Sequence, residues 1–250
     1  MSAISGSSAY YVLILSGLVI LLVAALARRS PAAQRDGASP PLTPLAGTDG
    51  QREADRWAIA AGMLVGLQGL RLLTAVWAPA SVLLPLLDRL FSVLLPALMG
   101  WAALGPQVGE AADRLLTAIV VLAGAGFAAS ALLGTTPIRF NLSVFDQVWS
   151  LLALAISAGA LAAVVVRRPP QWGVFAGALG LLVAGDLAHI ATIPITESSA
   201  PYVLLAEALA VPLFTVGAIW SFLREAPQPA SKPPLDLPVR LSLSAFVEMD

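Results

Sequence analysis

The chain has 250 residues, 58% of them hydrophobic and only 12% charged, with a mean hydropathy of +0.84. A soluble domain carries about 25% charged residues, so this is a membrane protein. Cysteine is absent and His189 is the single histidine, which excludes disulfides, thiolate metal sites and multi-histidine or haem centres, and a net charge of −1 offers nucleic acid no basic field.

A hydrocarbon core about 30 Å thick needs roughly 20 apolar helical residues. Seven windows qualify: 10–27, 57–77, 80–104, 115–134, 142–166, 172–193 and 201–223. The expected fold is therefore all-α, a polytopic membrane protein of seven transmembrane helices. Residues 1–27 read as an N-out anchor helix. Ala25 and Ala27 fit the small-x-small pattern of a signal-peptide cleavage site, but no basic residue precedes the apolar run and Arg28 and Arg29 follow it, the polarity of an uncleaved anchor. Residues 28–56, rich in Pro, Gly, Ala and charge, read as a flexible cytoplasmic linker. The short connections within 57–223 predict a six-helix bundle of antiparallel neighbours. Residues 224–250 form a Pro-rich cytoplasmic tail, and the alternation of apolar and polar residues over 239–249 predicts a strand or the start of an output domain.

Basic residues set the orientation, since loops carrying Arg and Lys stay cytoplasmic. With the N-terminus outside and the C-terminus inside, eleven of the fourteen basic residues fall inside, only Arg139 falls outside, and Arg71 and Arg89 lie within spans. The expected location is the cytoplasmic (inner) membrane of a bacterium, with lipid as the immediate partner.

The ionisable residues within the spans share one depth. Arg71 lies six residues before the outer end of the second window, Asp88 and Arg89 eight and nine residues into the third, and Asp146 near the outer start of the fifth. Asp186 and His189 lie seven and four residues from the outer end of the sixth, and Glu207 six residues into the seventh. All fall in the outer half. A lone charge in hydrocarbon costs at least about 2.5 kcal/mol, so such residues face the bundle interior or a wet cavity. Adjacent helical residues project about 100° apart, so Asp88 and Arg89 each need a partner on another helix. Arg71 and Asp88 match in depth. Four acids face two arginines, so some carboxylate carries a proton or awaits a cation or a donor-bearing ligand. The alternatives are ion pairs that only fix helix register, an Asp186–His189 pair that only orients the imidazole, and a metal set of Asp186, His189 and Glu207. No dedicated metal motif is present, and no cofactor is expected.

Pro85 and Pro96 are eleven residues apart, about three turns, and bracket the charged pair; with Pro212 they are candidate hinges. The small residues Gly126, Ser130 and Gly134, and Gly173 and Gly177, mark packing seams within one bundle or between two copies. A retinal protein is excluded because Lys232, the only lysine, lies beyond the last window. No G-x-S-x-G, H-E-x-x-H or phosphate-loop pattern occurs, so no catalytic activity is expected of this chain.

The run Leu84, Pro85, Leu86, then Asp88, Arg89 and the later Trp101, together with "FDQVW" at Phe145 to Trp149, resembles the N-terminal seven-helix sensory region of bacterial sensor histidine kinases and related signalling proteins linked to GAF or PAS domains. The resemblance spans about residues 57–223. It implies a sensor that binds a small ligand or a proton in the outer polar cluster and relays helix movement to a cytoplasmic signalling domain, in cis or in trans, in a chain that could form a homodimer. No kinase or GAF module lies within these residues, so the output is open. The rival expectation is a secondary transporter. Spans two to four and five to seven have opposite topology, as inverted repeats do, with Asp88 and Asp186 in the two middle helices.

Overall fold

A computed structural model describes residues 4–29, 46–78, 81, 83–132, 143–192 and 201–224. Among them are seven helices long and apolar enough to cross a membrane. They are α1 (Ile4–Arg29), α2 (Ala46–Trp77), α3 (Leu83–Leu104), α4 (Gly109–Leu132), α5 (Val144–Arg167), α6 (Trp172–Thr192) and α7 (Pro201–Arg224), with a short 3₁₀ turn, Gly105–Val108, between α3 and α4. The candidate strand at 239–249, Arg139 and Gly134 lie outside the described residues.

The helices alternate in direction, so the bundle has a proximal end, where α1 begins, and a distal end, where it finishes. Side-chain pairs fix both. At the distal end Arg29 of α1 reaches Asp55 of α2 at 2.6 Å, and Ser221 of α7 donates to Glu53 at 3.2 Å. Arg56 bonds the Gly105 carbonyl and pairs with Asp113 of α4 at 2.9 Å, while Trp101 Nε1 donates to the same carboxylate at 2.7 Å. Glu53, Asp55 and Arg56 of α2 thus hold four different elements, α7, α1, the 3₁₀ turn and α4.

Two sequence expectations are corrected at this end. The linker read over 28–56 is helical from Ala46 onward, because Gln51, Arg52, Glu53 and Ala54 are good helix formers that carry the backbone ladder past the apolar window. Its 32 residues span roughly 48 Å, more than the hydrocarbon core requires. And the bundle read over 57–223 takes in α1 as well. Tyr11, Ile14, Leu18, Leu21 and Ala25, spaced at helical period, are buried against α2 and α7.

Following contacts around the bundle gives a closed ring, α1–α2–α3–α5–α6–α7 and back to α1, in which α3 also touches α6 and α7. The fourth helix packs outside the ring on α3. Burial follows this order: 78% of the spanning window of α3 is buried and only 11% of that of α4. Close approach needs small residues at the crossings. A Cβ on Gly185 of α6 would stand 2.5 Å from the Ala206 methyl and 3.0 Å from the Tyr202 carbonyl oxygen of α7, so glycine is required there. The seam at Gly126 and Ser130 is filled from within the chain by Trp149 of α5, whereas the Gly173 and Gly177 positions meet no neighbouring atom.

Caps end the helices where the sequence demands. The Ser143 side chain accepts from the Asp146 amide at 3.2 Å to start α5; Arg168, left-handed at φ 47°, closes it before Pro169. Pro85 is corrected as a hinge. It is the third residue of α3, where its missing N–H has no intrahelical partner to lose. Pro96 and Pro212 do stand inside helices.

Candidate functional site

All seven ionisable residues singled out from the sequence lie in the proximal half, and the fold sorts them into two buried networks. The 100° step between Asp88 and Arg89 is what divides them: on α3 one side chain turns toward α1, α2 and α7, the next toward α5 and α6.

The first network centres on Arg71 of α2, whose side chain is fully buried. Its Nε and Nη2 each lie 2.9 Å from Asp88 Oδ1, and Nη1 and Nη2 lie 3.2 and 3.1 Å from Glu207 Oε2. Nη1 also donates to Gln68 Oε1 at 2.8 Å, while Gln68 Nε2 donates to the Tyr11 carbonyl at 3.0 Å. The Tyr11 hydroxyl of α1 bridges the Asp88 carboxylate at 3.0 and 3.2 Å. Ser92 donates to Glu207 Oε1 at 2.8 Å, tying α3 to α7. The guanidinium also lies 4.2 Å from the Phe91 ring centroid and 5.0 Å from that of Tyr11, both within cation–π range. One cation thus holds four helices together.

The second network joins α3, α5 and α6. Arg89 Nε lies 2.6 Å from Asp146 Oδ1, and Arg89 Nη2 lies 2.6 Å from His189 Nε2. The other Asp146 oxygen, Oδ2, is 3.4 Å from His189 Nε2 and has no hydrogen-bond partner among the described residues. Asp186, one turn before His189, forms no ion pair with an arginine among the described residues; its Oδ2 accepts from Ser157 of α5 at 3.3 Å. The metal set weighed from the sequence is not assembled. No group of three or more acidic or histidine side chains able to hold an ion occurs among the described residues, and His189 Nε2 is turned to Arg89 instead.

Sequence reasoning missed Tyr11, Gln68, Ser92 and Ser157. Signals for two of them were present: Gln68 stands three residues before Arg71 and Ser92 four after Asp88, the spacings that put side chains on one helix face. Tyr11 gave no such signal. Its role predicts that Tyr11→Phe, which keeps the ring and removes only the hydroxyl, lowers bundle stability by about 1.5 kcal/mol; thermal unfolding in lipid nanodiscs measures it.

Chemically, two arginines are balanced against four carboxylates, and two of the acids keep spare acceptor capacity, Asp146 at Oδ2 and Asp186. The arrangement suits a proton or a small donor-bearing ligand better than an anion. Compared with known proteins, the chain matches no family model, no characterised protein and no solved structure.

Proposed function

We propose that this chain is a membrane-embedded sensory module, oriented N-out and C-in, in which a proton or small polar ligand alters the proximal polar layer and helix movement carries the change to the distal, cytoplasmic end. One observation carries this reading. The Ser92–Glu207 bond that joins α3 to α7 sits one turn from the two helix-internal prolines, Pro96 and Pro212. Proline lacks the N–H that would bond the carbonyl four residues earlier, so the ladder is already open at Ser92 and at Ala208. Each helix is weakest just below the residue that binds the other. Re-pairing of Glu207 therefore acts on two bendable segments at once.

The arginine distribution supports the orientation. Arg28, Arg29, Arg52, Arg56, Arg114, Arg167, Arg168 and Arg224 all stand at the distal end, as a cytoplasmic face requires. The resemblance of the third span to the seven-helix region of sensor kinases points the same way, with a signalling domain in cis or in trans as the recipient. Burial asymmetry weighs against the transporter reading: an inverted repeat would make α3 equivalent to α6 and α4 to α7, yet 78% against 39% and 11% against 61% of their spanning windows are buried.

Because the chain has no cysteine, spin labels at Arg52→Cys and Arg224→Cys report α2 and α7 at the distal end without background. In nanodiscs, Glu207→Gln and Ser92→Ala are each expected to move the label-to-label distance by about 2 Å. Identical distance distributions in wild type and both variants would sink the sensory reading. Uptake of an ion or solute into proteoliposomes, abolished by Asp88→Asn or Asp186→Asn, would replace it with transport.

A further inference from the structure

The setting of His189 names a ligand for this layer. An arginine nitrogen keeps its protons at every accessible pH. At 2.6 Å from Arg89 Nη2, His189 Nε2 is therefore an acceptor, and in this arrangement the ring is neutral with its proton on Nδ1. The same Nε2 lies 3.4 Å from Asp146 Oδ2, a buried carboxylate oxygen with no hydrogen-bond partner among the described residues. One ring nitrogen thus stands between a donor it now uses and an acceptor nothing uses.

The charged groups around the ring are few. From α3 comes Arg89 and from α5 Asp146; on α6 itself Asp186 lies one turn earlier, bonded to Ser157. From α7 the buried acid is Glu207, engaged by Arg71 and Ser92, while Tyr202 is exposed. The ring is also close to the bundle's end, three residues or about 4.5 Å from the last residue of α6.

Building on the sensory reading, we propose that His189 is the proton-binding site of the polar layer, and that one proton taken from water at Nε2 turns that nitrogen from acceptor of Arg89 into donor to Asp146 Oδ2. The bond formed is Nε2–H, and the bond broken is an O–H of hydronium, which leaves as water. The added positive charge falls among carboxylates that outnumber the arginines. Arg89 Nη2 loses its acceptor in the same step and must find another, which changes the contact between α3 and α6 while Nε2–H···Oδ2 tightens α6 on α5.

His189 is the single histidine, so ring-¹⁵N-labelled histidine gives signals from this site alone in the full chain in lipid nanodiscs. At about pH 9 the expected spectrum shows a protonated Nδ1 and a bare Nε2; on lowering the pH to about 5 a second N–H appears at Nε2. In Asp146→Asn, at the pH where the wild type is half converted, the doubly protonated form falls about tenfold. A neutral ring protonated on Nε2, a ring that stays neutral throughout, or an unchanged proportion in Asp146→Asn overturns the proposal. The wild-type spectrum decides even if the variant does not accumulate. The distal spin labels separate the two readings: proton uptake without label movement sinks the sensory reading and leaves the site, and label movement with His189 still neutral does the reverse.

Discussion

Arg71→Gln lowers the stability of the folded bundle by about 3–5 kcal/mol, the range expected when one member of a buried ion pair is removed. The reason lies in what remains. Asp88 and Glu207 both point at the space the guanidinium filled, Glu207 with a side chain only 1% exposed, and neither has a second arginine within reach in its own network. Four helices lose their common partner together. Removing the stranded charges reverses much of the loss: in Arg71→Gln with Asp88→Asn and Glu207→Gln, amides replace ions and retain hydrogen bonds to Tyr11 and Ser92. Thermal unfolding in lipid nanodiscs should therefore rank wild type first, the triple variant next and Arg71→Gln last. If Arg71→Gln unfolds within about 1 kcal/mol of wild type, the layer is wet enough to solvate its own charges, and the buried network described above is not what holds these helices together.

Arg89→Gln has an effect of the same order, about 3 kcal/mol or more, on a different set of helices. Asp146, whose side chain is fully buried, keeps only His189 as a basic neighbour. A double-mutant cycle with Asp146→Asn isolates the pair, and a coupling of about 1.5 kcal/mol or more is expected for a 2.6 Å contact between buried charges. The same cycle run between Arg71→Gln and Asp146→Asn, residues with no shared partner, should be additive to within about 0.5 kcal/mol. Strong coupling there would mean that the two networks are one.

Hydropathy was enough to place the spans, because transfer of apolar side chains into lipid is a property of each segment alone. Common depth was enough to gather Arg71, Asp88, Arg89, Asp146, Asp186, His189 and Glu207 into one layer. Which acid meets which arginine was not legible, since that depends on helix rotation and on the order of helices in the ring, both set by shape at crossings such as Gly185 on Ala206. The uncharged members were lost for a related reason. Ser92 and Ser157 cost little in a membrane helix, where a serine hydroxyl can return to its own backbone, as Ser92 also does to the Asp88 carbonyl at 2.9 Å. Nothing in composition marks them as partners of a carboxylate. The helical start at Ala46 was missed because hydropathy sees only what enters the bilayer, and the good helix formers over 51–56 were read by charge instead of propensity. Pro85 shows the opposite error: spacing to Pro96 suggested a matched pair, but one falls in the first turn of α3 and the other inside the helix.

Translation runs from N- to C-terminus, and the two arginines differ in how long each must wait for neutralisation. Asp88 follows Arg71 by only 17 residues, so α2 and α3 can enter the bilayer as a charge-compensated hairpin. Arg89, carried in on that hairpin, meets its own carboxylate partner only when Asp146 arrives 57 residues later, and Glu207 completes the Arg71 set after 136. Between those moments the nascent chain holds an unmatched cation that must be sheltered by the insertion machinery or by water, which makes the interval before α5 the vulnerable stage of its biogenesis.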